Sequence, residues 1–221
     1  MRHELKYIIN ESDYLVLRSR LSSLFQKDKN ASAHGEYRVR SLYFDDPYDN
    51  ALMDKINGVD YREKFRIRMY NEDCSFIRLE KKIKRGGLGT KLSTRFTKEQ
   101  TDSILQGDIS WLKDSTDALL VELYSKIQGN LLRPKTIVEY IREPFVFAPG
   151  NVRITIDREI KTGIYNVDFF GKLPLLHTSE AFAVLEVKYD RFLPEIVSMA
   201  IHVTGRQAAA FSKYAVCRKF D

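Results

Sequence analysis

The chain has 221 residues, 43% of them hydrophobic and 30% charged, which excludes a disordered segment and fits one domain, 1–221, with a sizeable core. No apolar run approaches the roughly 18 residues of a membrane span, and Glu4 stands where a secretory signal would place its apolar region, so a cytoplasmic protein is expected. A formal net charge of +6 calls for an anionic partner without saying which one.

Arg2 to Ile9 alternates as a strand, with Arg2, Glu4 and Lys6 on one face and His3, Leu5, Tyr7 and Ile9 on the other. Asn10 caps a following helix whose apolar stripe is Tyr14, Leu17, Leu21 and Leu24. Tyr37 to Asp45 is a second strand, and a short helix then runs to Gly58. Asp60 to Tyr70, Ser75 to Lys84 and Lys91 to Phe96 are three more strands, the last two joined by a Gly86-Gly87 hairpin turn. Thr97 and Gln100 form a capping box, and Leu119, Leu120, Leu123, Tyr124 and Ile127 mark another helix. Thr136 to Arg142, Val152 to Asp157 and Ala183 to Tyr189 are strands; Pro194 to His202 and Gln207 to Val216 read as helical. About eight strands with amphipathic helices imply an α+β fold around an antiparallel sheet or barrel.

Charge placement carries more information than charge amount. Arg62, Lys64, Arg66 and Arg68 occupy alternate positions and share one face, with Phe65, Ile67 and Met69 on the other. Four aligned cations repel one another unless water or an anion screens them. The pattern recurs in Glu80, Lys82 and Lys84, in Lys91, Ser93 and Arg95, in Tyr140 and Arg142, in Arg153, Thr155 and Asp157, and in Glu186 and Lys188; Arg38 and Arg40 add a pair. These faces either coat the exterior or line a common interior. An interior of this composition would be hollow and suited to a polyanion, since Arg matches phosphate oxygens and Lys acts as a movable point charge. The carboxylates among the cations are what a divalent metal beside phosphate would require.

Other chemistries lack their residues. Cys74 and Cys217 form no CxxC pair, the four histidines have no zinc-ligand spacing, and no P-loop or nucleophile elbow occurs. Exposed aromatic interleaving of the kind that stacks bases is missing from the cation rows, which argues against nucleic acid.

Taken together, eight pieces in order resemble the VTC domain, a branch of the triphosphate tunnel metalloenzymes that also include the CYTH phosphatases and cyclases. They are Glu4-Leu5-Lys6-Tyr7, Ser41 to Asp45, Lys64 to Tyr70, Leu79 to Lys82, Tyr140 to Arg142, Arg153 to Asp157, Leu185 to Tyr189 and Phe211 to Tyr214. The resemblance implies an eight-stranded antiparallel β-barrel tunnel with flanking helices and metal-dependent chemistry on phosphoanhydrides. It assigns Arg66, Arg68, Arg142, Arg153, Lys82 and Lys188 to the transferring phosphoryl group, and Lys6, Lys91, Tyr140, Ser212 and Lys213 to substrate binding. Glu186 is similar to the family's metal ligand, for Mn2+ or Mg2+. Arg95 is the alternative to Lys91, and Arg2 stands where the CYTH branch has a further glutamate, which favours the VTC branch. Glu80 reads either as a metal ligand or as a counter-ion for Lys82. Lys84 and Arg40 are expected to be solvated, Tyr43, Phe44 and Tyr70 to pack, and His3 to be structural.

The activity so implied is a polyphosphate polymerase that transfers the γ-phosphate of ATP onto inorganic polyphosphate. The alternatives are a tripolyphosphatase or nucleoside triphosphatase of the same fold, and a non-catalytic module that binds polyphosphate or inositol phosphates. A membrane-protein partner for export is left open, as are synthesis versus hydrolysis, metal identity and oligomeric state.

Overall fold

In the computed structural model, which describes residues 2–172, 174–178 and 181–219, β1 (His3–Ile9) passes straight into α1 (Glu11–Leu24). Asn10 makes the junction: its side chain accepts from Asp13 N at 2.8 Å, while the Asp13 carboxylate accepts from Asn10 N at 3.1 Å. Tyr14, Leu17 and Leu21 are buried, but Leu24 is 46% exposed. The helix ends there, and the extended Phe25 takes the place in the core that the stripe predicts for Leu24.

After the two-residue β2 (Gln26–Lys27) come β3 (Tyr37–Asp45) and α2 (Asn50–Ile56). Then follow β4 (Arg62–Tyr70), β5 (Ile77–Arg85) and β6 (Leu88–Phe96). Gly86 and Gly87 form the β5–β6 turn with φ of 57° and 76°, the two positive values that a tight hairpin demands. The Thr97–Gln100 capping box opens α3 (Lys98–Leu105), which is followed by α4 (Ser110–Lys113) and α5 (Ala118–Asn130). The long β7 (Arg133–Phe147) and β8 (Val152–Thr162) precede β9 (Leu176–His177), β10 (Ala183–Tyr189), α6 (Glu195–Ile201) and α7 (Lys213–Cys217). The helix expected from Gln207 is confined to α7. Its upstream residues run beside β1 instead, where Ala209 N donates to Lys6 O at 2.8 Å, and Ser212 caps the short helix.

The strands pair antiparallel in the order β1-β10-β8-β7-β3-β4-β5-β6, with β2 on β7 and β9 on β8. Right-handed twist, with a bulge where β7 meets β8 between Glu139 and Ile141, curls this sheet. It does not close into the expected barrel. β1 and β6 touch only at an isolated bridge between Arg2 and Gly89, so the sheet is an open half-barrel.

Side-chain alternation gives the curled sheet two unlike faces. On the convex side, Ile154, Ile156, Leu185 and Val187 pack against Leu17 and Leu21 of α1 and Val197 and Ala200 of α6. Leu42, Phe65, Ile67 and Leu79 pack against Ile104, Leu112, Leu120 and Leu123 of α3 to α5. On the concave side α7 contributes Tyr214 to a smaller cluster with Tyr43, Val138, Tyr140 and Val184. Arg40 belongs to the convex side and is not solvated. It is 9% exposed, and Nε donates to Glu139 Oε2 at 2.7 Å while Nη1 reaches the Phe169 carbonyl.

The Asn10 junction sets where β1 stops and α1 begins, so its removal should cost helix stability without disturbing the concave face. Asn10→Ala is expected to cost about 1 kcal/mol, or about 2–4 °C in a thermal melt of a domain this size.

Candidate functional site

Cross-strand register brings the charged rows together. Tyr43, Arg66, Glu80 and Ser93 lie in one line across β3 to β6, and Lys64, Lys82 and Lys91 in the next. On the opposite wall Lys6 pairs with Glu186, and Glu4 with Lys188. Curling turns these lines inward, and α7 lowers Lys213 and Tyr214 onto them. The resulting inner cavity, of about 70 Å3, is lined by eight cationic side chains and two carboxylates, Glu4 and Glu186. A wider cavity of about 140 Å3 adjoins it and shares Glu4, Lys6, Lys64, Lys82 and Ser212 with it, adding Lys55, Arg62 and Lys84.

Carboxylates hold the cations in fixed positions. Arg66 donates to Glu80 through Nη2 (2.6 Å) and to the Tyr43 hydroxyl through Nη1 (2.8 Å). Arg68 Nε donates to Ser41 Oγ at 2.9 Å and Nη2 to the Tyr140 hydroxyl at 3.3 Å. Arg142 makes a bidentate pair with Asp157 at 2.6 and 2.7 Å. Lys213 bridges Asp157 (2.6 Å) and Glu186 (2.8 Å). Glu186 also lies 3.5 Å from Lys6, 3.5 Å from Arg142 and 3.6 Å from Lys188. Burial opposes its ionisation, but Lys213, Lys6, Lys188 and Arg142 hold its carboxyl well below the usual range.

Several expected ligands face this space and others do not. Lys6, Arg66, Arg68, Lys82, Tyr140, Arg142, Glu186, Lys188, Ser212 and Lys213 all line the inner cavity. Ser212 also caps α7, its Oγ accepting from Ala215 N. Arg153 stands on the same face but at the rim, tied to Asp28 (2.9 Å) and the Tyr37 hydroxyl (2.8 Å). Lys91 is spent on Glu80 at 2.7 Å, and among the described residues Arg95 reaches the Ser75 carbonyl. Glu80 therefore neutralises Arg66, Arg68 and Lys91, whereas Lys82 takes Glu4 at 3.3 Å. Lys84, expected in solvent, stands on the wall of the wider cavity.

The sequence put Glu4 and Lys64 on charged faces but gave neither a site role, and it did not place Tyr43 or Tyr214 on the lining. Glu4 and Lys64 already share the faces of Lys6 and Arg66, so alternation alone could have included them. Lys64 has no carboxylate within ion-pair distance among the described residues and rests 5.7 and 5.6 Å above the Tyr43 and Tyr214 rings. Burial pushes its pKa down to about 8, against the pull of Tyr43 and helped by Lys6 and Arg66. Burial would raise Tyr43, but Arg66, Lys64 and Arg68 outweigh it and bring the phenol to about 8. Arg2, by contrast, turns away from the lumen to Asp190 at 3.0 Å.

A metal would have two donors here. The described residues hold no group of three or more His, Cys, Asp or Glu side chains able to grip an ion alone. Glu4 Oε1 is buried and accepts no hydrogen bond, and Lys188 spans it (3.3 Å) and Glu186 (3.6 Å). Lys6, Lys82 and Lys188 overcome the burial penalty and bring Glu4 to about 2, so it presents an ionised, under-used oxygen. Two carboxylates suit a hard divalent cation that takes its remaining ligands from phosphate and water. The residues fit an ion that arrives with an anion, and do not fit a free one.

Lys64 yields a pH test. The unfolded chain keeps its lysine proton to about pH 10.4, whereas the fold releases it near 8, so folding stability should rise with pH between those values. Lys64→Met should melt higher than the unsubstituted protein at pH 7 without added anion, and the gap should shrink towards pH 10. A constant gap would place Lys64 in ordinary solvent.

Among solved structures, a putative adenylate cyclase from Bacillus halodurans aligns with a TM-score of 0.50 and 12% identity over 90% of this chain and 86% of its own. Its likeness supports a shared tunnel-type fold and nothing finer. The PH1819 protein of Pyrococcus horikoshii aligns with a TM-score of 0.44 and 13% identity over 91% of this chain and 84% of its own. No curated protein matches. The VTC domain matches residues 1–220, essentially the whole sequence. The chain belongs to the VTC domain family.

Proposed function

We propose that this protein is a metal-dependent polyphosphate polymerase that transfers the γ-phosphoryl group of ATP to the end of an inorganic polyphosphate chain. The observation that carries the reading is the buried, cation-dominated lumen with a Lys64 that has no carboxylate partner among the described residues at the join of its two compartments. Such a charge distribution is unfavourable until a polyanion enters. Two connected compartments accommodate a donor triphosphate and an acceptor chain end to end.

The chemistry needs positioning and charge stabilisation rather than a protein nucleophile. A terminal oxygen of the acceptor chain forms a bond to the γ-phosphorus as the bond to the β–γ bridging oxygen breaks, and ADP leaves with that electron pair. Arg66, Arg68 and Arg142 are immobilised by Glu80, Ser41 and Asp157, so their donors need little reorganisation as charge shifts between oxygens. Lys64 and Lys188 supply charge from opposite walls, and Lys6, Tyr140, Ser212 and Lys213 align the chain. Glu4 and Glu186 would hold Mn2+ or Mg2+, whose contribution is to neutralise phosphate oxygens beside the reacting group. Hydrolysis uses the same ligands with water as acceptor.

Incubation with ATP and manganese, scored for polymer against free phosphate, separates these outcomes. Polymer is expected, with Glu186→Gln abolishing it and Arg66→Ala slowing it by about a hundredfold, the value of one preorganised contact of roughly 3 kcal/mol. Free phosphate alone would make the protein a hydrolase, and no turnover would leave a binding module.

Binding has its own readout. Triphosphate at about a hundred times its dissociation constant should contribute about 2.7 kcal/mol and raise the melting midpoint by roughly 5–10 °C. Orthophosphate at equal concentration should do much less because only a chain links several sites. A short DNA strand matching triphosphate would move the cation rows to an outer surface.

A further inference from the structure

The curled sheet has two terminal strands, and their edges are treated differently. Along β1 the edge is occupied: Ala209 N donates to Lys6 O at 2.8 Å and Lys6 Nζ to Phe211 O at 2.9 Å. Along β6 no described segment pairs with the edge beyond Gly89. Gly89 exchanges two long backbone hydrogen bonds with Arg2, of 3.4 and 3.5 Å. The bridge is antiparallel, so β1 and β6 run away from it in opposite directions, and no described strand lies beside Thr90 to Phe96.

Backbone parity shows what that edge offers. Residues of an antiparallel strand turn both N–H and C=O alternately to one neighbour and the other. Gly89 faces outward to Arg2, so Lys91, Ser93 and Arg95 face outward too, while Thr90, Leu92 and Thr94 bond to β5. Among the described residues only Arg78 Nη2 approaches one of these outward groups, the Ser93 carbonyl at 3.5 Å. β6 contains no proline and no carboxylate. Its lumen face carries Lys91, Ser93 and Arg95, and its outer face includes Leu92, which is 45% exposed.

We propose that the free edge of β6 docks an extended acidic segment of a partner polypeptide, which adds as a further antiparallel strand. Charge selects this occupant. A second copy pairing through β6 would set cation against cation across the new ladder, which is destabilising, whereas acidic side chains opposite Lys91 and Arg95 are stabilising. The register defines the partner: two acidic residues four positions apart, a small residue midway opposite Ser93, and apolar or β-branched residues between them beside Leu92. Main-chain bonds supply affinity and the alternate side chains supply specificity. The docked carboxylates would also lie at the rim of the lumen, beside the Lys91–Glu80 pair.

The test uses the full chain and a fluorescein-labelled nine-residue peptide with this acidic–valine–serine–valine–acidic centre, followed by anisotropy at low salt. Two control peptides share its length: one N-methylated at the amides that would face β6, the other with lysines replacing the acids. The acidic peptide should bind, and N-methylation, which keeps charge and leaves the protein untouched, should weaken it at least tenfold. Arg95→Glu should lower affinity for the acidic peptide and raise it for the lysine peptide. Hydrogen exchange should slow at the Lys91, Ser93 and Arg95 amides on binding and stay unchanged at Thr90, Leu92 and Thr94. Equal binding of the N-methylated peptide, or unchanged exchange at the three outward amides, would overturn strand addition. A dimer in sedimentation that is lost in Ser93→Pro but kept in Ser93→Ala, a pair of changes that both remove the hydroxyl accepting from Arg78 while the proline also removes the outward N–H, would make a second copy the occupant and overturn the proposal as well.

Discussion

Mutual repulsion among cations packed on one concave face is the constraint to which the rest of this structure answers. Lys64, Lys82 and Lys91 lie side by side across three strands, and Arg66 and Arg68 follow on the same face. Each buried carboxylate is therefore shared. Glu80 serves Arg66, Arg68 and Lys91; Glu186 serves Lys213, Lys6, Arg142 and Lys188. Buried ion pairs of this kind seldom add net stability because desolvation offsets their attraction. Stability resides on the other side of the sheet, where two apolar clusters bind it to α1 and α6 and to α3, α4 and α5. The convex face folds the protein so that the concave face can remain charged.

That division explains what could be read from the sequence. Period-two alternation in Arg62 to Met69 already separates a cation face from an apolar one, and the same period recurs at Glu80 to Lys84 and Glu186 to Lys188. Helix starts at Asn10 and Thr97 were legible because a capping box is local chemistry, complete within four residues. Strand Tyr37 to Asp45 has its boundaries in the sequence for a related reason, since Asp46-Pro47 cannot continue a ladder.

What could not be read depends on contacts distant along the chain. Glu4 meets Lys82 and Lys188 only because β1, a terminal strand, pairs with β10 and the curl of the sheet brings it to β5, and Glu80 prefers Arg66 to Lys82 because of strand register. Arg153 has the right parity, opposite Lys188, but Asp28 captures it outside the cavity lining. Tyr43 looks like a core residue and is one by burial, yet its hydroxyl faces the lumen and accepts from Arg66. Closure was overestimated because hydrogen-bond shear between first and last strands is invisible in local patterning.

The walls of the lumen have an unusual order of manufacture. Lys6 is held by the carbonyl of Phe211, 205 positions later, and Glu186 by Lys213. On the ribosome, β3 to β6 can pair as neighbours soon after synthesis, with their helices to cover them. The wall formed by β1 must wait for β10, and the roof for α7. Contacts of such long separation form slowly, and a nascent chain stalled before Lys213 exposes rows of arginine and lysine without α7 to cover them and without the lysine that ties Asp157 to Glu186. Cellular polyanions, ribosomal RNA foremost, surround that intermediate. Synthesis of this protein thus passes through a stage at which its own charge pattern favours the wrong ligand, and docking of the C-terminal segment ends it.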